Sequence, residues 1–125
     1  MVSFEKFILS DGPIYQQIVI YIKREISSGS IAEGDEMPSR RVLSALLGVN
    51  PNTIQKAYKI LEDEGIIESR TGSKSTIVLK GEKSSEIRNA LLESDIGEVI
   101  KTLKQIGITK KEAFELIDKY WMEGD

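Results

Sequence analysis

Apolar residues near the start of the chain recur with the period of an α-helix. An isoleucine stands at every fourth position from Ile14 to Ile26, which places these side chains on one face of a helix. Pro13 suits the first helical position, and Gly29 suits the residue that follows the last turn. The pattern therefore predicts a first helix over residues 13–28.

The segment SRRVLSALLG predicts a second, shorter helix. Ser39 stands where a hydroxyl can cap the free backbone N–H groups of the first turn, and Gly48 stands where the helix should end. Leu43, Leu46 and Leu47 are expected to form its buried face. The helix is thus predicted to have about three turns.

A third helix is predicted from the segment NPNTIQKAYKILEDEG. Asn50 is the expected N-cap, and Pro51 is the expected first helical residue, where its missing N–H costs nothing. Gly65 should end the helix. Spacing of three and four residues predicts one buried face, made of Ile54, Ala57, Tyr58 and Leu61. The opposite, exposed side then carries Asn52, Lys56 and Lys59.

Beyond Gly65 the runs IIESR and STIVLK, separated by TGSK, predict a β-hairpin with a glycine turn and a lysine at its tip. Three helices followed by a hairpin is the order of a winged helix-turn-helix. The short segment GVN between the second and third helices matches the glycine-containing turn of that motif. The predicted fold class is therefore mainly α with a small β-hairpin.

The last part of the chain predicts two further helices. An a/d pattern of alternating steps of four and three is formed by Leu92, Ile96, Val99, Leu103 and Ile106. A break near Asp95 is left open as an alternative. Thr109 and Glu112 form a capping box for the last helix. One side of that helix carries Ala113, Phe114, Ile117, Tyr120 and Trp121.

Composition narrows the classes of function. A chain of 125 residues, 40% of them hydrophobic, can bury one core, with room for an appendage. It has no cysteine and no histidine, so disulfides, the usual zinc sites and the commonest general base are missing. We expect no enzyme, no metal and no cofactor.

The start of the chain lacks the apolar run of a signal peptide, and no apolar stretch is long enough to span a membrane. A cytoplasmic protein is therefore expected.

Net charge argues against binding nucleic acid by bulk attraction, because the formal charge is −3. Residues 1–80 carry ten Lys or Arg and ten Asp or Glu, whereas residues 81–125 carry seven and ten. Any anion binding must therefore come from a local patch in the first part of the chain.

The motifs of residues 13–78 together resemble the GntR family of bacterial transcription regulators. The matching runs are PIYQQI, GDEMPSRRVL, NPNTIQKAY and LEDEGII, followed by the hairpin. The tail of about 45 residues is similar to the two-helix tail of the YtrA-like subfamily, in which it serves dimerisation. The hairpin departs from the family pattern, because Lys74 replaces a glycine and Thr76 replaces an aromatic residue. The resemblance implies a winged helix-turn-helix in residues 1–80 and a helical dimerisation tail in residues 81–125.

The residue chemistry suggests how such a domain would bind DNA. The amides of Asn52 and Gln55 can pair with the edge of adenine, and Thr53 can contact a thymine methyl group or a phosphate. Lys56 and Lys59 suit phosphates better than bases. The resemblance adds the arginine of the PSxR motif, Arg41. The complete set of candidate DNA-binding residues is Ser39, Arg41, Asn50, Asn52, Thr53, Gln55, Lys56, Lys59, Arg70, Gly72 and Lys74.

Simpler interpretations stand beside these. Asn50 can be an N-cap only, Tyr58 fits a core residue better than a stacking platform, and Lys59 and Lys74 can be ordinary solvated charges. The candidate dimerisation residues are Leu92, Ile96, Val99, Leu103, Ile106, Phe114, Ile117, Tyr120 and Trp121.

The function expected from these observations is that of a homodimeric repressor that binds a palindromic operator in double-stranded DNA. The alternative is a winged-helix protein-interaction module without DNA specificity. Any effector would have to bind between the tail and the DNA-binding domain, and its identity is left open.

Overall fold

The computed structural model describes residues 1–70 and 74–123. The chain divides into two compact units, Met1–Asn89 and Ala90–Asp125. The elements, in chain order, are α1 (Ile14–Ser28), β1 (Glu36–Met37), α2 (Arg40–Leu47), α3 (Pro51–Asp63), β2 (Ile67–Arg70), β3 (Lys74–Ile77), α4 (Lys83–Ile106) and α5 (Lys110–Trp121). The boundary between the two units lies within α4.

The helices of the first unit begin and end close to where the sequence predicts. Pro13 is the N-cap of α1 rather than its first residue, and Gly29 ends α1 in the left-handed conformation, with φ of 89°. The Ser39 hydroxyl accepts a hydrogen bond from the Val42 N–H at 3.1 Å and caps α2. These caps satisfy backbone groups that helix ends leave without partners.

The core of the first unit forms where α1 and α2 pack against α3. From α1 it takes Ile18 and Ile22, both fully buried. The predicted buried face of α3 is confirmed, since no part of Ile54, Ala57, Tyr58 or Leu61 is exposed. Burying a side chain the size of Ile54 or Leu61 contributes about 1.5–3 kcal/mol, which makes α3 the central element of this unit.

The buried face of α2 was predicted wrongly at one position. Leu43 is buried and Leu47 is half-buried, but Leu46 is 66% exposed. Ser44 is buried instead, and its hydroxyl donates to the Val49 carbonyl at 2.6 Å. The buried face is centred between residues 43 and 44, and at 3.6 residues per turn Leu47 lies near that centre while Leu46 points away from it.

The sheet has three antiparallel strands in the order β1-β3-β2, so the predicted hairpin is confirmed and a further strand is added. This further strand, β1, lies in the segment SIAEGDEMP between α1 and α2, where Glu36 pairs with Thr76. The N-terminal segment also packs on this unit: the Val2 N–H donates to the Glu36 carbonyl at 2.7 Å. The side chain of Phe4 stacks on Tyr21, with ring centroids 5.1 Å apart.

The two predicted tail helices are confirmed. α4 runs without a break from Lys83 to Ile106, so the alternative of an interruption near Asp95 is wrong. The capping box of α5 is present: the Thr109 hydroxyl accepts from the Glu112 N–H at 3.2 Å, and the Glu112 carboxylate accepts from the Thr109 N–H at 3.3 Å. Within the described residues no helix has the length and apolar character needed to cross a membrane.

Candidate nucleic-acid interface

The exposed side of α3 carries the polar side chains that the sequence places there. Asn52, Gln55, Lys56 and Lys59 are all exposed, and Thr53 is half-buried. Within residues 1–70 and 74–123, the side-chain amides of Asn52 and Gln55 form no hydrogen bond. Their donors and acceptors are therefore available to a ligand, as pairing with a base edge requires.

The first turn of α3 is held rigidly by its cap. The Asn50 side-chain oxygen accepts a hydrogen bond from the Asn52 N–H at 2.8 Å, and Pro51 occupies the first helical position. Asn50 is thus an N-cap, which agrees with the simpler interpretation of this residue. Because the cap and the proline ring both restrict the backbone, the Asn52 side chain starts from a fixed Cα position.

The two lysines of α3 differ in their partners. Lys59 Nζ lies 3.1 Å from Asp63 Oδ1 in an i,i+4 ion pair whose members are both exposed. Lys56 Nζ instead lies 4.0 Å from the centroid of the Tyr15 ring, which comes from the first turn of α1. Lys56 therefore has a neutral partner and forms no ion pair with a carboxylate among the described residues, whereas the charge of Lys59 is partly balanced by Asp63.

The adjacent arginines of α2 also differ. Arg40 Nη2 lies 2.6 Å from Glu62 Oε1, and its guanidinium lies over the Tyr58 ring at 4.9 Å. Arg41 is exposed and has no hydrogen bond or ion pair to any residue that the structure describes. Of these two arginines, the one that corresponds to the PSxR motif, Arg41, is available to bind an anion, whereas Arg40 is engaged by Glu62.

Glu62 joins three elements of the first unit. Its Oε1 accepts from Arg40 on α2 and from the Ser69 hydroxyl on β2, the latter at 2.9 Å. The Tyr58 hydroxyl donates to the carbonyl of Pro38, the residue before the N-cap of α2, at 2.5 Å. Burial raises the pKa of Tyr58 far above its ordinary value, while Arg40 opposes this shift, so the phenol stays neutral. These bonds set the position of α2 and β2 relative to α3.

The two strands of the hairpin carry one exposed cation each, at the last residue of β2 and at the first residue of β3. Arg70 and Lys74 are directly paired in the antiparallel register of β2 and β3. Like charges at such a position destabilise a strand pair unless an anion lies near them. The third candidate of the hairpin, Gly72, lies outside the described residues.

Eight of the candidate DNA-binding residues come from α2, α3 and their caps: Ser39, Arg41, Asn50, Asn52, Thr53, Gln55, Lys56 and Lys59. Three residues whose contacts position the side chains of this surface were not identified from the sequence: Tyr15, Arg40 and Glu62. Each acts through a partner more than 20 residues away in the chain, and local spacing contains no signal of such a partner.

Among the described residues, no group of three or more His, Cys, Asp or Glu side chains could hold a metal ion.

Comparison with known proteins supports a regulatory function. The family model described as "Bacterial regulatory proteins, gntR family" matches residues 14–77. The transcriptional regulator YhcF of Bacillus subtilis is 36% identical over 115 residues, covering 92% of this chain and 94% of YhcF. The transcriptional repressor YtrA of the same organism is 38% identical over 97 residues, covering 78% of this chain and 70% of YtrA.

Solved structures give the same result. A GntR family transcriptional regulator from Listeria monocytogenes matches with a TM-score of 0.79 and 32% identity, covering 90% of this chain and 98% of that one. The S. agalactiae regulator BusR, in complex with its busAB-promotor DNA, matches with a TM-score of 0.51 and 27% identity, covering 93% of this chain and 57% of BusR.

Proposed function

The chain belongs to the GntR family of bacterial regulatory proteins, and on this premise we propose that it is a homodimeric repressor that binds an inverted-repeat operator. Members of this family are transcription regulators with a DNA-binding helix-turn-helix, not enzymes. Family membership therefore favours DNA binding over the alternative of a protein-interaction module. A bacterial regulator of this kind would act on the chromosome in the cytoplasm, and the repressor activity is proposed by analogy with YtrA.

The observation that carries the proposal is the composition of the exposed side of α3 and its flanks. The side-chain amides of Asn52 and Gln55 have no hydrogen-bond partner among the described residues. Lys56 on the same helix and Arg41 on α2 are exposed and have no acidic partner there. An α-helix that enters the major groove needs short polar groups for base edges and cations for the phosphates on either side. We assign base contacts to the two amides and phosphate contacts to Arg41 and Lys56.

The hairpin would add contacts outside the major groove. Arg70 and Lys74 form a pair of exposed cations that a phosphate would neutralise, so the wing is proposed to bind the DNA backbone. The Ser39 hydroxyl caps α2. Phosphate binding at this end of α2 would therefore use the backbone N–H groups of the first turn.

The second unit supports a dimer because its apolar side chains lack cover within the chain. No residue of α5 is buried. Of the nine candidate dimerisation residues, Leu103 is half-buried and the other eight are exposed: Leu92, Ile96, Val99, Ile106, Phe114, Ile117, Tyr120 and Trp121. A continuous apolar surface on two helices of a small unit marks an interaction site.

We propose that a second copy of the chain covers this surface. Between α4 and α5 lies an apolar cavity of about 350 Å³, lined by Ile96, Val99, Leu103, Phe114 and Ile117 among others. Two copies related by a two-fold axis would bring identical apolar surfaces together, which is the commonest arrangement in homodimers.

Two-fold symmetry then predicts the form of the operator. Each protomer would present one α3, and two such helices can enter the same face of B-DNA only when they lie about one helical turn apart, roughly 34 Å, or a multiple of it. The operator should therefore be an inverted repeat.

The proposal can be tested with a duplex selected from a random pool by binding to the full chain. The selected sequence should be an inverted repeat, and inserting about five base pairs between its halves should abolish tight binding, because one half-site rotates by half a turn. An insertion of about ten base pairs restores the rotational phase and serves as the control. Affinity within about threefold of the original after the shorter insertion, or roughly 0.7 kcal/mol, would contradict a rigid dimer. Failure to enrich any sequence would favour the protein-interaction alternative.

A further inference from the structure

We propose that Tyr15 is a positioning residue for DNA binding, whose ring holds the Lys56 ammonium where it can bind a backbone phosphate. Lys56 Nζ lies 4.0 Å from the centroid of the Tyr15 ring. This inference rests on the proposed function, because it takes Lys56 as a phosphate ligand.

The Tyr15 ring belongs to a different element from the lysine that it contacts. Tyr15 is half-buried in the first turn of α1, and α1 packs along α3. The Gln16 side-chain amide donates to the Tyr15 hydroxyl at 3.3 Å. The ring position is thus set by the packing of α1 on α3, so the ring is a fixed support beside the exposed side of α3.

A fixed ring lowers the cost of ordering a lysine. The lysine side chain has a flexible four-carbon stem, and an exposed lysine loses much of this freedom when it binds a phosphate. Attraction between the ammonium and the face of an aromatic ring restricts the stem before DNA arrives. The ammonium has three N–H donors, so it can stay over the ring and still donate to a phosphate oxygen.

Lys59 shows why a neutral partner matters. Its ammonium pairs with the Asp63 carboxylate at 3.1 Å. A phosphate that approaches Lys59 must compete with that carboxylate and is repelled by its negative charge. The Tyr15 ring restrains Lys56 without either effect. The two lysines of α3 are thereby distinguished by their partners, and Lys59 is a matched control for Lys56.

A double-mutant cycle on DNA binding tests the proposal. Binding of Tyr15→Leu, Lys56→Ala and the double variant to a random-sequence duplex is measured at several salt concentrations. Tyr15→Leu should weaken binding by about two- to fivefold, the effect of an exposed cation–π contact, and should leave the salt slope unchanged because no charge is lost. Lys56→Ala should reduce the slope by about 1. Adding Tyr15→Leu to Lys56→Ala should have no further effect.

Two controls separate positioning from a structural role. Tyr15→Phe keeps the ring and should bind like the original chain. Tyr15→Leu should have its full effect in a Lys59→Ala background. The proposal is overturned if Tyr15→Leu leaves binding unchanged, if it weakens binding equally in the Lys56→Ala background, or if Tyr15→Phe is as weak as Tyr15→Leu.

The experiment also distinguishes this inference from the proposed function. If Lys56→Ala weakens binding and reduces the salt slope but shows no coupling to Tyr15, only the positioning role is rejected. If Lys56→Ala changes neither quantity, the assignment of Lys56 as a phosphate ligand fails and the role of Tyr15 fails with it. If the original chain binds no DNA, the proposed function itself is wrong.

Discussion

α3 in the first unit and α5 in the second have similar lengths, 13 and 12 residues, and both carry apolar residues on one side. α3 packs against α1 and α2 and fully buries Ile54, Ala57, Tyr58 and Leu61, whereas α5 buries no residue. Amphipathic spacing predicts that one side of a helix will be covered, but it does not say by what. In the first unit the same chain provides the cover, and in the second unit we propose that a second copy provides it.

The largest effect is expected from a substitution on the apolar side of α5, which the chain itself leaves uncovered. Phe114→Asp places a charge on the apolar side of α5 and should weaken dimerisation by roughly 4 kcal/mol, or about a thousandfold, as for a central interface residue. Sedimentation should then detect folded monomers. Glu115→Lys, on the polar side of the same helix, is the control and should remain dimeric. A folded Phe114→Asp variant that stays dimeric would show that the second unit does not hold the dimer.

The second test compares how much stability each unit gains from apolar residues buried within a single chain. It uses the Phe114→Asp variant as the background, because that variant is expected to be monomeric. Leu61→Ala should lower the free energy of unfolding by about 2–5 kcal/mol, because it leaves a cavity in a fully buried site. Leu92→Ala, at an exposed site of α4, should change it by no more than about 0.5 kcal/mol. Denaturant unfolding provides both values. Equal losses would mean that the second unit buries its apolar residues within the chain after all.

A smaller effect is expected from substitutions on the polar side of α3. They test whether this side of the helix distinguishes the operator from random DNA. Asn52→Ala should cost roughly 1–3 kcal/mol on the selected operator and little on random DNA, since a base contact is lost. Lys56→Ala should weaken binding to both kinds of DNA alike. Titrations on the two duplexes measure the difference. Equal losses of Asn52→Ala on operator and random DNA would reject its role in base recognition.

The smallest effect concerns the helix caps, one in each unit. Asn50→Ala and Thr109→Ala should each cost about 1 kcal/mol, because each leaves a backbone N–H without its side-chain acceptor. Hydrogen exchange should localise the loss to α3 for Asn50→Ala and to α5 for Thr109→Ala. Asn50→Ser and Thr109→Ser retain an acceptor and should lose less. A loss spread over both units by either alanine variant would contradict this local effect.

Much of the fold could be predicted because its signals are local. Ser39, Asn50 and Thr109 cap their helices as predicted, since a capping side chain bonds a backbone group within three residues of itself. The buried face of α3 was equally predictable from spacing. For the candidate site, the sequence predicted correctly that Asn52 and Lys56 are exposed, while their contacts with DNA stay a prediction.

Other features had no local signal. The short strand β1 exists only because Glu36 and Met37 pair with β3, about 40 residues further along. The exposure of Leu46 depends on which side of α2 meets α3, and the spacing of leucines alone favoured a different side. Sequence spacing also left the continuity of α4 open, because Asp95 and Glu98 resemble a second cap.

The sequence by itself determined, to within about a residue, where the helices of the first unit begin and end and which side of α3 is buried, because hydrogen bonds and side-chain periods within a few residues decide both. Only the tertiary structure decided how residues of the same type differ in their partners. Arg40 pairs with Glu62, whereas Arg41 has no partner among the described residues. Lys56 likewise lies over the Tyr15 ring. Such differences depend on which distant elements pack together. Packing is decided by the burial of the whole apolar surface and not by any short segment.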